Sequence, residues 1–286
     1  MAISFKTISE AIGDSGVKIL VFGPAGSGKT VLLSTILRRL KRIHEEGGAK
    51  RKLLIISAES GLLSLQDLPQ ELQDYMQVVE VSTIEDVDEV YNLLTSDSDH
   101  PFDWIALDSV TEIAEVLLAN EKQLSPDPRK SYVAAADKMF ALLRSFRDLP
   151  NVNVVMSAKE QKYIDDNGVA TFGPMMPGNQ LRQGVAYLFD EVFALHAIQV
   201  DAGDGDKRTE RKIQTGLNLM RDCKDRSGKL SMWEDPDLTM IVDKIKGEYV
   251  APPEKEPLLP TEEELEKADQ ERRIKEDDEL GRQMNA

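Results

Sequence analysis

The sequence predicts an α/β fold with a central, mostly parallel sheet flanked by helices, and three observations predict it. Short apolar runs recur at 19–22, 53–57, 102–107, 152–157 and 188–197, with helix-patterned segments between most of them. Such alternation is the pattern of parallel strands joined by helical crossovers. The second observation is Gly23-Pro24-Ala25-Gly26-Ser27-Gly28-Lys29-Thr30, which follows the first run and opens a helical segment at Val31. The third is Asp108, which ends the apolar run FDWIALD. A glycine-rich turn and a strand-end carboxylate both belong at the C-terminal edge of such a sheet, where ligands bind.

Composition narrows the function classes. The 286 residues, 41% apolar and 30% charged, are enough for one large domain or two small ones. No eighteen-residue apolar span and no basic-then-apolar leader occurs, so a cytoplasmic protein with no membrane partner is expected. One cysteine, Cys223, excludes an internal disulfide, and His44, His100 and His196 are too scattered for zinc. The net charge of −16 argues against a protein that coats nucleic acid non-specifically. From Glu254 onward twelve carboxylates face six bases, which leaves room for a basic groove elsewhere.

The phosphate-loop reading is physical. Glycines let backbone N–H groups turn inward around phosphate oxygens, so Gly23, Pro24, Ala25, Gly26, Ser27, Gly28, Lys29, Thr30 and Val31 form the expected nucleotide site. Lys29 would reach the β/γ-phosphates, and the Thr30 hydroxyl would hold Mg²⁺. Asp108 has the form of a Walker B carboxylate that holds the same metal, or it caps the next helix. ATP and Mg²⁺ are the expected cofactors.

Taken in order, residues 1–17 are an arm whose Ile3, Phe5 and Ile8 dock on the core. Helical spacing predicts one helix from Val31 to Ile43, with Arg38, Arg39, Lys41 and Arg42 as a solvated face. Lys52 to Ser57 reads as a buried strand, and Glu59 just after it is either a water-polarising acid or an ordinary loop acid. Val78 to Val81 reads as a strand and Glu85 to Leu94 as a helix. Ser109 and Glu112 read as a capping box for a helix through Leu118. Pro126 and Pro128 break the chain before a helix from Tyr132 to Leu149. Val152 to Ser157 is the next buried strand, and Lys159 beyond it is a γ-phosphate sensor or a surface lysine. Gln161 to Arg182 reads as a long loop whose Lys162, Tyr163, Phe172 and Arg182 mix cations with stackable rings. That mixture suits single-stranded nucleic acid, and equally a lid over a small substrate. Leu188 to Ala197 and Lys207 to Met220 read as a hairpin around an acidic turn. Cys223 to Lys229 reads as too polar for core, Leu238 to Ile245 as a last strand, and 251–286 as an acidic, flexible or helical tail after a domain spanning 18–250.

This order of elements resembles the RecA-like P-loop ATPase core, and within it is similar to the compact phage-encoded single-strand annealing ATPases of the Sak group. The likeness runs from Val17 to Ile245 and rests on GPAGSGKT, AES at 58–60, LDSV at 107–110, PGNQLRQGVAY at 177–187 and KDRSG at 224–228. It implies that Glu59 is the catalytic base, that Asp108 is the Walker B aspartate, and that Pro177 to Tyr187 belongs to a DNA-binding loop and its helix. It further implies that Lys224 and Arg226 reach across a subunit interface as trans cations. Ala158-Lys159 departs from the polar amide expected there, and no large DNA-binding domain flanks the core, which favours annealing over strand invasion. The implied activity is an Mg-ATP-dependent, single-stranded-DNA-binding recombination ATPase of the bacterial host cytoplasm. It would assemble into a filament or ring and contact a single-strand-binding protein. A ring helicase or motor, and an ATP-gated protein scaffold with little hydrolysis, are the alternatives.

Overall fold

The computed structural model describes residues 7, 16–59, 61–97, 99–164, 168–201, 207–216 and 220–251. The chain divides into a compact unit, Met1–Glu248, and a second unit, Tyr249–Ala286. The arm residues Ile3, Phe5 and Ile8, and the acidic tail from 252 onward, lie outside the described residues.

The expected α/β architecture is present. In chain order the described elements are β1 (Lys18–Gly23), α1 (Lys29–Ser34), α2 (Leu37–Glu45), β2 (Lys52–Ser57), α3 (Gln70–Gln73), β3 (Met76–Glu80), α4 (Ile84–Ser96), β4 (Phe102–Asp108), α5 (Val110–Leu124) and α6 (Pro128–Arg147). There follow β5 (Asn153–Ile164), β6 (Ala170–Pro174), α7 (Asn179–Gly184), β7 (Glu191–Asp201), β8 (Lys207–Gln214), β9 (Lys224–Asp225), β10 (Trp233–Glu234) and α8 (Leu238–Lys246). The sheet order is β10-β8-β7-β1-β5-β4-β2-β3, with β6 on β5 and β9 on β7. The run β7-β1-β5-β4-β2-β3 is parallel throughout, and the additions to it are antiparallel.

Both sheet faces are covered, which is why the inner strands read as unbroken apolar runs rather than alternating ones. Along β1, Leu20 and Phe22 face a core built with α4, α5 and α6, while Ile19 and Val21 face a second core with α1, α2 and α8. Among the described residues no helix is long and apolar enough to cross a membrane.

Several expectations are corrected. The helix from Val31 to Ile43 is two helices, because Thr35 stops hydrogen-bonding as a helix residue. Its carbonyl accepts from the Thr239 hydroxyl at 2.6 Å and its own hydroxyl accepts from Leu238 N–H at 2.8 Å. Leu238 to Ile245 is a helix, not a strand. Leu238, Ile241 and Val242 face the core at helical spacing, Asp237 caps the start, and Gly247 ends it at φ 74°. Of the α2 cations read as a solvated face, Arg39 is buried and pairs with Asp243 at 2.9 Å, while Arg42 pairs with Asp243 at 2.7 Å and Arg38 with Asp237 at 2.8 Å from partly exposed side chains. They clamp α8 onto α2. Pro128 does not break the chain but occupies the first turn of α6, where its missing N–H costs nothing. Gln161 to Arg182 is not a structureless loop. β5 continues to Ile164 and pairs with β6, so a hairpin rises beyond the sheet and α7 follows it. Cys223, read as too polar a neighbourhood for core, is 1% exposed, and burial pushes its thiol up to about 12.

Candidate functional site

The site forms where β1 and β4 end on either side of β5, which runs on past them. β1 delivers the chain to Gly23, where an added Cβ would lie 2.6 Å from the Leu195 carbonyl oxygen, so only glycine fits beside β7. Gly26 and Gly28 turn the loop in the left-handed region, at φ 73° and 98°. Pro24 and Ala25 form its exposed crown, and Val31 stands exposed on the first turn of α1. Ser27 is fully buried, and its hydroxyl has no hydrogen-bond partner among the described residues. A buried orphan hydroxyl inside a glycine-rich loop is a vacancy for an acceptor, and phosphate oxygen fits it. Lys29 Nζ donates to the loop's own carbonyls, Gly23 at 3.0 Å and Pro24 at 3.1 Å, while burial lowers its pKa.

Asp108 is 4% exposed and held from two sides. Thr30 Oγ1 donates to one carboxylate oxygen at 2.6 Å, and the Ser157 hydroxyl donates to the other. Because β5 lies between β1 and β4, the loop and the carboxylate meet across an intervening strand, and Ser157 is that strand's contribution. The residues fit a nucleotide with Mg²⁺: a carboxyl oxygen and a hydroxyl side by side, next to a phosphate cradle. Ser157 escaped the sequence reading, although a hydroxyl closing an apolar run was its visible trace.

Glu59 follows β2, and the Ser109 hydroxyl donates to its carboxylate. Gly61 brings this turn against Thr30, where an added Cβ would sit 3.7 Å from Oγ1. Ser109 also accepts from Glu112 N–H at 3.4 Å, so it caps α5 as expected. Glu112 does not complete the reciprocal box, because its carboxylate holds Lys159 at 2.8 Å. Lys159 also lies 3.7 Å from Glu59 and 3.8 Å from Glu115, and the Glu112 hydrogen bond raises its pKa. Thr111 pins the Lys159 backbone, accepting its N–H at 3.0 Å while donating to the Met175 carbonyl at 2.9 Å.

Arg211 of β8 was also missed. Its Nε donates to the Ser27 carbonyl at 2.9 Å, and an added Cβ on Gly28 would lie 3.1 Å from that same nitrogen. Within KRTERKIQ nothing in the sequence says which cation faces the loop.

The remaining expected residues lie elsewhere. β9 pairs with Glu191 and Val192 at the start of β7, the opposite end of the sheet from the phosphate loop. Lys224 is committed there within its own chain, donating to the carbonyls of Ala186 at 2.9 Å and Phe189, and burial lowers its pKa. Arg226 has an exposed side chain paired with Asp190 at 2.7 Å. On the β5–β6 hairpin, exposed Lys162 sits opposite Phe172. Arg182 lies 4.3 Å over the Tyr163 ring, and Arg221 lies 4.8 Å over Phe172. Tyr163 and Arg182 are thus together, while Phe172 has a different cation.

The model of the AAA domain family matches residues 15–227, a stretch that takes in the whole parallel sheet and both hairpins. No curated protein matches the chain. The match spans the loop that fits phosphate. This chain belongs to the AAA domain family and carries a P-loop ATPase domain.

Proposed function

We propose that the protein is an Mg-ATP-dependent, single-stranded-DNA-binding recombination ATPase that self-associates and promotes annealing of complementary strands, as its resemblance to the Sak group implies. The observation that carries the reading is the continuity of β5. One strand runs from Ser157, on Asp108, past Lys159, beside Glu59, to exposed Lys162 and to Tyr163. A nucleotide-dependent change at one end has a rigid route to a cation-and-ring surface at the other.

Mg²⁺ bound with ATP supplies charge neutralisation on the transferring phosphoryl group. Thr30 and Asp108 would hold the metal, and Lys29 would exchange its loop carbonyls for phosphate oxygens. Glu59 orients the attacking water and takes its proton, with Ser109 holding the carboxylate and Lys159 balancing its charge. Arg226, exposed at the far end of the sheet, is the cation offered to a neighbour's nucleotide.

Binding of single- and double-stranded oligonucleotides, with and without ATP and over a salt series, tests the reading. Single strands are expected to bind in preference, more tightly with ATP, and to anneal faster. Absence of single-strand binding under every nucleotide condition overturns it. A monomer unable to assemble that hydrolyses ATP at the full rate overturns the trans role of Arg226.

A further inference from the structure

A cavity of about 690 Å³ opens beneath the β5–β6 hairpin, lined among others by Tyr163, Thr171, Arg182, Tyr187, Asp222 and Lys224. Its size suits a nucleotide, and a largely apolar wall with a few convergent polar groups is how small planar ligands are held. Arg182 stacked on Tyr163 forms a flat cationic wall, and Tyr187, 82% exposed, stands free at the rim as a stacking surface. Lys224 spends its ammonium on main-chain carbonyls, which leaves Asp222 as the polar group to explain.

Asp222 is fixed by its backbone, whose N–H donates to the Phe172 carbonyl at 3.0 Å. Its carboxylate accepts no hydrogen bond from any described residue, although burial raises its pKa against the opposing pull of Arg182. It rests on bare Gly173, where an added Cβ would meet Oδ2 at 2.6 Å. An exposed carboxylate with two oxygens that no described residue engages, set beside a stacking wall, can accept from a planar ligand with two adjacent donors. We infer that this cavity is a nucleobase pocket that selects guanine through Asp222. Guanine alone presents N1–H and N2–H₂ side by side. Adenine and cytosine set an acceptor next to their amine, and thymine flanks its single N–H with carbonyls, so each would turn a lone pair toward the carboxylate.

The inference rests on the single-strand reading, so the test separates the two. Anisotropy would compare the full chain, with ATP, on a dT tract, on the same tract with one guanine, and on one with inosine, which lacks the N2 amine. About tenfold tighter binding of the guanine strand is expected, the range of one bidentate base contact. Asp222→Asn, which offers donors to donors, should abolish the preference, and so should Gly173→Ala, which keeps the charge but displaces it; thermal melts check that both fold. Equal affinity for all three strands overturns the pocket and leaves the single-strand reading standing. If no strand binds, saturation-transfer NMR with dGMP against dTMP decides. Asp222-dependent dGMP binding upholds the pocket while the strand reading falls, and binding of neither nucleotide overturns both.

Discussion

Two hairpins extend the sheet beyond its nucleotide edge, and they are attached to it differently. β5–β6 grows out of the strand that carries Ser157 and Lys159, so it touches the groups gathered around Asp108 and Glu59. β7–β8 reaches the cradle instead, through the hydrogen bond from Arg211 to Ser27 and the Leu195 carbonyl against Gly23. One hairpin is continuous with the chemistry and the other leans on the binding loop. Equal-looking extensions of one sheet can therefore separate turnover from nucleotide affinity, because what matters is which strand each prolongs.

Substitutions can break that contrast, and the largest effect is expected on the β5 side. Glu59→Gln removes the proposed proton acceptor and should lower kcat about 100-fold with little change in KM, read by steady-state phosphate release alongside nucleotide binding. A raised KM with normal kcat would remove the distinction. Arg211→Ala should do the reverse. A charge-assisted bond from an exposed side chain is worth about 1 kcal/mol, so KM should rise about fivefold with kcat held, and Arg211→Lys should restore part of it. Lys162→Ala should weaken single-strand binding about threefold and reduce the salt slope by about one ion, measured by titrations at several salt concentrations.

An effect on stability rather than on turnover is expected at the root of the second hairpin. Glu191 opens β7 and is 1% exposed. Burial, with Asp225 beside it, pushes its carboxyl up to about 8. A carboxyl whose pKa is raised by folding favours the folded state most at low pH. Its contribution is fully present below the ordinary carboxylate value and is lost as pH rises to about 8. Thermal melts from pH 5 to 8.5 should show this decline, and Glu191→Gln should flatten it. A wild-type melting temperature that does not fall across that range would exclude the effect.

Much of the site was legible because its chemistry is local. The phosphate loop needs glycines at set intervals along the chain, and an acid at a strand end announces itself, so the places of Gly23 to Thr30, Glu59 and Asp108 at the strand ends could be read directly. Ser157 and Arg211 could not, because each matters only for what lies across the sheet from it. Arg39 and Arg42 show the same limit: they read as a wet face, yet their partner Asp243 lies about two hundred residues further along. The segment at 238–245 was misread for another reason. Its apolar residues fit a short buried strand as well as a helix, and only the capping Asp237 and terminal Gly247 distinguish the two.

Apolar periodicity and glycine spacing were enough to dictate an α/β layer with a phosphate loop at its strand ends, since both act between residues close in the chain. The order in which strands lie side by side belongs to the folded molecule alone. It inserts β5 between β1 and β4, hands Asp108 a second hydroxyl, and prolongs that same strand into the hairpin above the site. Strand order is a contest of packing between whole faces, decided by how all the helices cover the sheet together, and no stretch of the sequence records it alone.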